Sequence, residues 1–170
     1  EAEKGVQAEI DRIMDIQNKQ TDKSKLMSVD SIHRELYKIM WNYVGMARNE
    51  AGLKKALEML KAVRQQFDTC VRVPGSKEGL NVELDKAIHL RDFILMGELI
   101  AYDALERNES CGGHFREESQ TEEGEAKRDD EHYMYVACWQ YQGSDDVAPT
   151  LLKEDLNYQY IKVQTRNYKS

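Results

Sequence analysis

The stretch NVELDKAIHLRDFILMGELIAYDALERNES, residues 81–110, decides how this chain folds. Asn81 stands where a helix N-cap belongs, because its side-chain oxygen can take a free backbone N–H of the first turn. From there Leu84, Ile88, Phe93, Leu95, Met96 and Ile100 recur at helical steps, with no proline to interrupt them. The spacing predicts a helix over 81–107. The next residues, ESCGGHFREES at 109–119, carry Gly112 and Gly113, which permit the positive φ of a helix stop and a sharp turn.

Upstream, VPGSKEG at 73–79 is a loop by its chemistry, since Pro74 and two glycines supply turn geometry. A first helix is predicted over 3–20, with Val6, Ile10, Ile13 and Ile16 close to one face, before NKQTDKSK breaks the rhythm. Ser28 is the N-cap expected for a second, whose stripe is Ile32, Leu36, Ile39, Met40, Tyr43 and Met46. Gly45 and RNEAG mark a bend, after which Leu53, Leu57, Leu60, Arg64 and Phe67 keep the spacing. Three long amphipathic helices in succession predict a mainly α fold. The expected architecture is an antiparallel three-helix bundle, spectrin-repeat-like, over residues 1–110.

Downstream the character changes. Residues 111–132 read as a turn and an acidic loop. Residues 133–170 read as an extended tail with a short β-ribbon, packing on the bundle or on a neighbouring domain. In YMYVACWQY, 133–141, Tyr133, Tyr135, Ala137, Trp139 and Tyr141 alternate with Met134, Val136, Cys138 and Gln140, a strand period. NYQYIKVQT, 157–165, is the second strand signal, and the two are expected to pair antiparallel. Such a pair needs a surface to lie on.

The totals narrow the class. In 170 residues the net charge is −7, which disfavours wrapping nucleic acid or adhering to anionic lipid. No apolar run approaches the roughly 20 residues of a membrane span, and a soluble domain is expected. Three cysteines at wide spacing are no disulfide framework, which favours a reducing compartment. The chain opens on EAEKGVQAEI, without methionine and already in helical rhythm, and is expected to be a piece of a longer polypeptide.

Several chemistries compete for 108–119. Cys111-x-x-His114 offers two metal ligands, but the second pair, His132 and Cys138, is six apart with strand residues between, so no metal site is expected. A Cys111 nucleophile with His114 as base lacks an orienting third group. GGHF lacks the strand and helix that flank a phosphate loop, and the acidic pairs of 117–130 lack calcium-loop spacing. An interface turn explains more. Gly112 and Gly113 form the turn, His114 and Arg116 project from it, and Arg128 with Asp129 and Asp130 return beside it. Arginine's planar fork suits such a grip. The aromatics of the tail, Trp139 among them, either line the interface or cover the bundle itself.

These residues carry a resemblance. The run from Asn81 with Leu90 and Arg91 inside it, the Arg107-Asn108-Glu109-Ser110 stop, and the Gly112-x-His114-x-Arg116 turn come in a distinctive order. The Arg128-Asp129-Asp130 return and the Arg166-x-Tyr168 ending complete it. Together they resemble the C-terminal end of the flavoprotein subunit of the succinate dehydrogenase and fumarate reductase family, over residues 28–169. Where the family's commonest stop has arginine after Glu-Ser and alanine before the histidine, this chain has Cys111 and Gly113. L-aspartate oxidase is similar in this region.

The resemblance implies a parent enzyme that interconverts succinate and fumarate by hydride transfer to or from FAD, which is bound by upstream domains. It implies a membrane anchor and an iron–sulfur subunit that takes the electrons, with the enzyme peripheral on the cytoplasmic side of the inner membrane. This piece would hold no catalytic, cofactor or metal residues and would be inactive alone. Its expected work is packing, through Ser110, Gly112, Gly113, His114, Arg116, Arg128, Asp129, Asp130, Trp139, Arg166 and Tyr168. The alternative is an autonomous helical protein–protein interaction module.

Overall fold

The computed structural model describes residues 2–19 and 23–164. It is mainly helical. Four long helices follow in order: α1 (Ala2–Gln17), α2 (Val29–Tyr43), α3 (Glu50–Cys70) and α4 (Val82–Glu106). Later come a four-residue helix, α5 (Asp130–Tyr133), and the two strands of a ribbon.

Each of the three central helices begins at a side-chain cap. The Ser28 hydroxyl accepts from the N–H of Ser31 at 3.2 Å, and Asn49 Oδ1 accepts from Gly52 at 2.7 Å. Asn81 Oδ1 accepts from Glu83 and Leu84, both at 3.1 Å. Asn49 corrects the sequence expectation, which runs one bent helix through this region. Instead α2 stops at Tyr43 and α3 starts afresh after a short connection. The reason is local. A Cβ on Gly45 would lie 2.9 Å from the Trp41 carbonyl oxygen, and Arg48 Nε donates to the Gly45 carbonyl at 2.7 Å.

The core lies where α2, α3 and α4 pack on one another. It takes Val29, Ile32, Leu36 and Ile39 from α2 and Leu53, Ala56, Leu60, Val63 and Phe67 from α3. Each large apolar side chain buried there contributes about 1.5–3 kcal/mol. From α4 it takes Ala87, Leu90, Ile94, Gly97, Ala101 and Ala104, a stripe of mostly small residues. Gly97 sits where a Cβ would meet Met40 Sδ at 3.1 Å and Leu36 Cδ1 at 3.5 Å, which is why α2 can lie so close. The stripe expected for α4 is therefore wrong in part, since Phe93, Met96 and Ile100 are exposed. Between Phe93 and Tyr102 that helix is apolar on nearly every side but for Glu98, and closest approach selects the face with the smallest side chains. Of the apolar residues expected on one face of α1, Val6 and Ile10 are exposed and Ile16 is buried.

Two-residue parallel bridges tie the connections together. Met27–Ser28 (β1) pairs with Val71–Arg72 (β3), and Ala47–Arg48 (β2) pairs with Phe115–Arg116 (β4). The ribbon joins β5 (Tyr135–Gln140) to β6 (Thr150–Asp155) in antiparallel register, Trp139 opposite Leu151 and Tyr135 opposite Asp155. The first strand lies where the alternation puts it, but its partner is 150–155 and not 157–165. The connection from 141 to 149 is short enough to bring the nearer segment back first, so 157–164 runs on without strand pairing. No helix among the described residues is long and apolar enough to cross a membrane.

Candidate functional site

The 107–119 turn grows out of the end of α4. Arg107 leaves helical geometry, and the Ser110 N–H donates to the Lys127 carbonyl at 2.9 Å. Cys111 and His114 then close a tight antiparallel bridge on themselves, with the Cys111 N–H donating to the His114 carbonyl at 2.9 Å. Gly112, at φ +60°, occupies the left-handed conformation this turn requires, while Gly113 does not.

Arg116 corrects the expectation of a side chain projecting toward a neighbour, because it is turned inward. It is 1% exposed. Its Nη1 donates to the carbonyls of Ala104 at 2.8 Å and Leu105 at 3.2 Å, groups that the end of α4 would otherwise leave unpaired. Its Nε donates to Glu118 at 3.1 Å, and its backbone N–H donates to the buried Ser110 hydroxyl at 2.8 Å. A positive charge at a helix C-terminus also complements the helix dipole.

His114 is half-buried between two arginines. Its Nδ1 lies 2.9 Å from Arg48 Nη1, and its Nε2 lies 2.7 Å from the Arg107 carbonyl oxygen. A guanidinium has only donors, so Nδ1 accepts and Nε2 carries the proton. Burial holds this histidine below its usual range. The Arg107 carbonyl opposes that shift, while the charges of Arg48, Arg116 and Arg107 reinforce it. The neutral ring is thus a bridge between the α2–α3 connection and the end of α4.

Arg107 and Glu109 form a second clamp. Arg107 Nη1 donates to Glu109 at 2.8 Å and to the Tyr133 carbonyl at 2.9 Å, while Nη2 reaches the Tyr135 carbonyl at 3.2 Å. Its guanidinium lies 4.8 Å from the Tyr135 ring centroid. The other oxygen of buried Glu109 accepts from the Asp129 N–H at 2.9 Å. Asp129 caps α5 and pairs with exposed His132 at 2.9 Å. Arg128 pairs with Asp130 and reaches the Gln164 carbonyl at 3.1 Å. Trp139 lies back on α4, its Nε1 donating to Asp103 at 2.9 Å.

Ser110, Gly112, Gly113, His114 and Arg116 therefore do meet in one turn, with Arg128, Asp129 and Asp130 beside it. Trp139 stands further along α4, and Arg166 and Tyr168 lie outside the described residues. The structure adds Arg48, Arg107 and Glu109 to the expected site. Arg107 and Glu109 are legible as the Arg-x-Glu-Ser stop, but Arg48 gives no signal, being 66 residues from the ring it bonds. Cys111 and Cys138 are exposed free thiols. Among the described residues, no three His, Cys, Asp or Glu side chains converge as metal ligands would.

Comparison with known proteins bears on this arrangement. A family profile described as fumarate reductase flavoprotein C-term matches residues 33–168. An uncharacterized FAD-dependent oxidoreductase of Methanocaldococcus jannaschii is 36% identical over 92 residues, 54% of this chain and 16% of that protein. A polypeptide of the CoM/CoB fumarate reductase of Methanothermobacter marburgensis is 30% identical over 97 residues, 57% of this chain and 17% of that polypeptide. In fold, the chain is similar to Mycobacterium smegmatis Sdh1 in complex with UQ1. The TM-score is 0.77 at 24% identity, over 92% of this chain and 24% of that one. The chain thus spans between 16% and 24% of the length of these proteins.

Proposed function

The chain belongs to the fumarate reductase flavoprotein C-terminal family, and from that premise we propose that it is the C-terminal helical domain of a larger FAD-dependent oxidoreductase. The parent reaction is interconversion of succinate and fumarate, with hydride passing between the dicarboxylate and FAD. Electrons then pass to an iron–sulfur subunit, while a membrane anchor holds the enzyme at the cytoplasmic face. The observation that carries this reading is the family match over residues 33–168, which includes the whole 107–119 turn.

The chain's own part is support. Residues 1–110 act as the helical unit, antiparallel in its packed helices, 111–132 as the turn and acidic loop, and 133–170 as the tail. Ser110 and Arg116 serve from within by holding the turn rigid, while Gly112, Gly113, His114, Arg128, Asp129, Asp130 and Trp139 shape the surface met by a neighbour. Exposed Trp41, Phe93, Met96 and Ile100 extend the apolar surface available to the rest of the polypeptide.

The start of α3 does not suit the pyrophosphate of FAD. At the start of α3 the Glu50 N–H is bonded by the Glu118 carboxylate and Gly52 by Asn49. A carboxylate in the anion's place repels it. On the family match, FAD is assigned to upstream sequence, and no step of the reaction is assigned to these residues.

The experiment is to isolate the native polypeptide and record its mass, flavin absorbance and succinate-dependent dye reduction. A flavin-bearing chain several-fold longer than 170 residues that reduces dye supports the reading. A native chain of this length without flavin overturns it.

A further inference from the structure

Away from the turn, a cleft of about 430 Å³ opens between α3, α4 and the connection that joins the ribbon strands. That volume falls in the range of small-molecule sites, roughly 300–1,000 Å³. Its apolar wall is made by Leu57, Leu95, Leu99, Tyr102 and Trp139.

The charged lining is more informative. Lys61, Arg64 and Arg91 supply three positive charges, and Glu98, Asp145 and Asp146 supply three negative ones. Arg91 donates to Asp145 at 3.0 Å, and Arg64 Nε donates to Glu98 at 3.2 Å. Arg64 Nη1 donates to Asp146 at 3.1 Å. These pairs are unequal. The side chains of Arg64 and Glu98 are 16% and 11% exposed, but that of Asp146 is 78% exposed. An ion pair with so exposed a partner is weak. When Asp146 swings into water, Arg64 keeps Glu98 at its Nε, but its Nη1 loses an acceptor, and the cleft lining is left with one positive charge in excess beside the apolar wall.

We propose that this cleft binds a small amphipathic carboxylate, its apolar or aromatic body on Leu57, Leu95, Leu99 and Trp139 and its carboxylate on Arg64 in place of Asp146. A guanidinium donates two parallel hydrogen bonds to a carboxylate, and burial strengthens them relative to the exposed pair they replace. Asp146 is the built-in competitor. The ribbon connection can release it without unpairing β5 and β6, because Gly143, at φ +86° with open space around it, separates the strand from the acidic turn. The proposal does not depend on the reaction of the parent enzyme.

The test is calorimetric titration of the full-length polypeptide with decanoate, and with decanol as the uncharged control. Decanoate is expected to bind roughly tenfold or more tightly than decanol, the factor one charged hydrogen bond supplies. Asp146→Asn, an exposed change that leaves the core untouched, should tighten decanoate several-fold by removing the competitor. Arg64→Met should abolish the preference for the acid. Equal binding of acid and alcohol overturns the proposal, as does decanoate binding that Asp146→Asn leaves unchanged, or no binding of either probe. Should Arg64→Met fail to fold, the Asp146→Asn result decides alone.

Discussion

The imidazole of His114 is pinned between two groups from different parts of the chain, with Arg48 donating to its Nδ1 at 2.9 Å. The contact joins the α2–α3 connection to the turn after α4, and the two segments also share the β2–β4 bridge. A ring held this way has to be neutral at Nδ1, so protonation breaks the link and places a third positive charge between Arg48 and Arg107.

Stability should therefore fall in acid through this residue. With the folded-state pKa depressed by burial, the unfolded chain binds the proton first. The contribution is complete above the unfolded value of about 6.5 and is lost as pH drops below it toward the folded value. Exposed His89 and His132, whose pKa values are raised by Asp85 and Asp129, act in the opposite sense. The comparison is thus between wild type and His114→Gln, by denaturant midpoints from pH 8 to pH 5. Wild type should lose stability faster as pH falls, and parallel curves would refute the bridge.

Arg116→Met should destabilise the domain by about 3 kcal/mol, the worth of roughly two hydrogen bonds from a charged donor. The Ala104 and Leu105 carbonyls lose their partner when the guanidinium goes. Urea unfolding reads this directly. A loss under about 1 kcal/mol would mean that water caps α4 equally well.

At Gly97 the effect depends on size. Gly97→Ala gains helix propensity of about 1 kcal/mol, offset by a Cβ 3.1 Å from the flexible end of Met40, so little net change is expected. Gly97→Val overpacks the α2–α4 contact and should cost about 1–3 kcal/mol. Thermal melting of both variants separates the two contributions. A Val variant as stable as the Ala one would show that the helices are not in close contact there.

Asn81 does two jobs, and substitution can separate them. Its oxygen caps α4, while its Nδ2 donates to the Pro74 and Ser76 carbonyls at 3.1 and 3.2 Å. Asn81→Ala should cost about 1 kcal/mol or more. Asn81→Asp keeps the cap and loses the donor, so its stability should fall between wild type and Ala. If Asp matched Ala, repulsion between its second carboxylate oxygen and the Pro74 and Ser76 carbonyls would be offsetting the cap in full.

The residues that act over short range are readable from the chain alone. Ser28 and Asn81 cap helices because the bonds they make span two or three residues, and the alternation from Tyr133 to Tyr141 marks a strand for the same reason. Asn49 is equally local but is masked by apolar spacing that continues through it. The order of motifs from Asn81 to Asp130 is also sufficient to point to the family.

Tertiary structure decided the rest, since it depends on distance in space. Which face of α4 is buried turned on how closely α2 could approach, and the small stripe of Ala87, Gly97, Ala101 and Ala104 prevailed over Phe93, Met96 and Ile100. The partner of β5 turned on which segment returned first. The inward turn of Arg116 was set by the unpaired carbonyls at the end of α4, and the contact of His114 with Arg48 by folding 66 residues of chain back on themselves. Hydrogen bonds and packing at such separations leave no periodic trace in a sequence, because either partner alone reads as an ordinary polar or apolar residue.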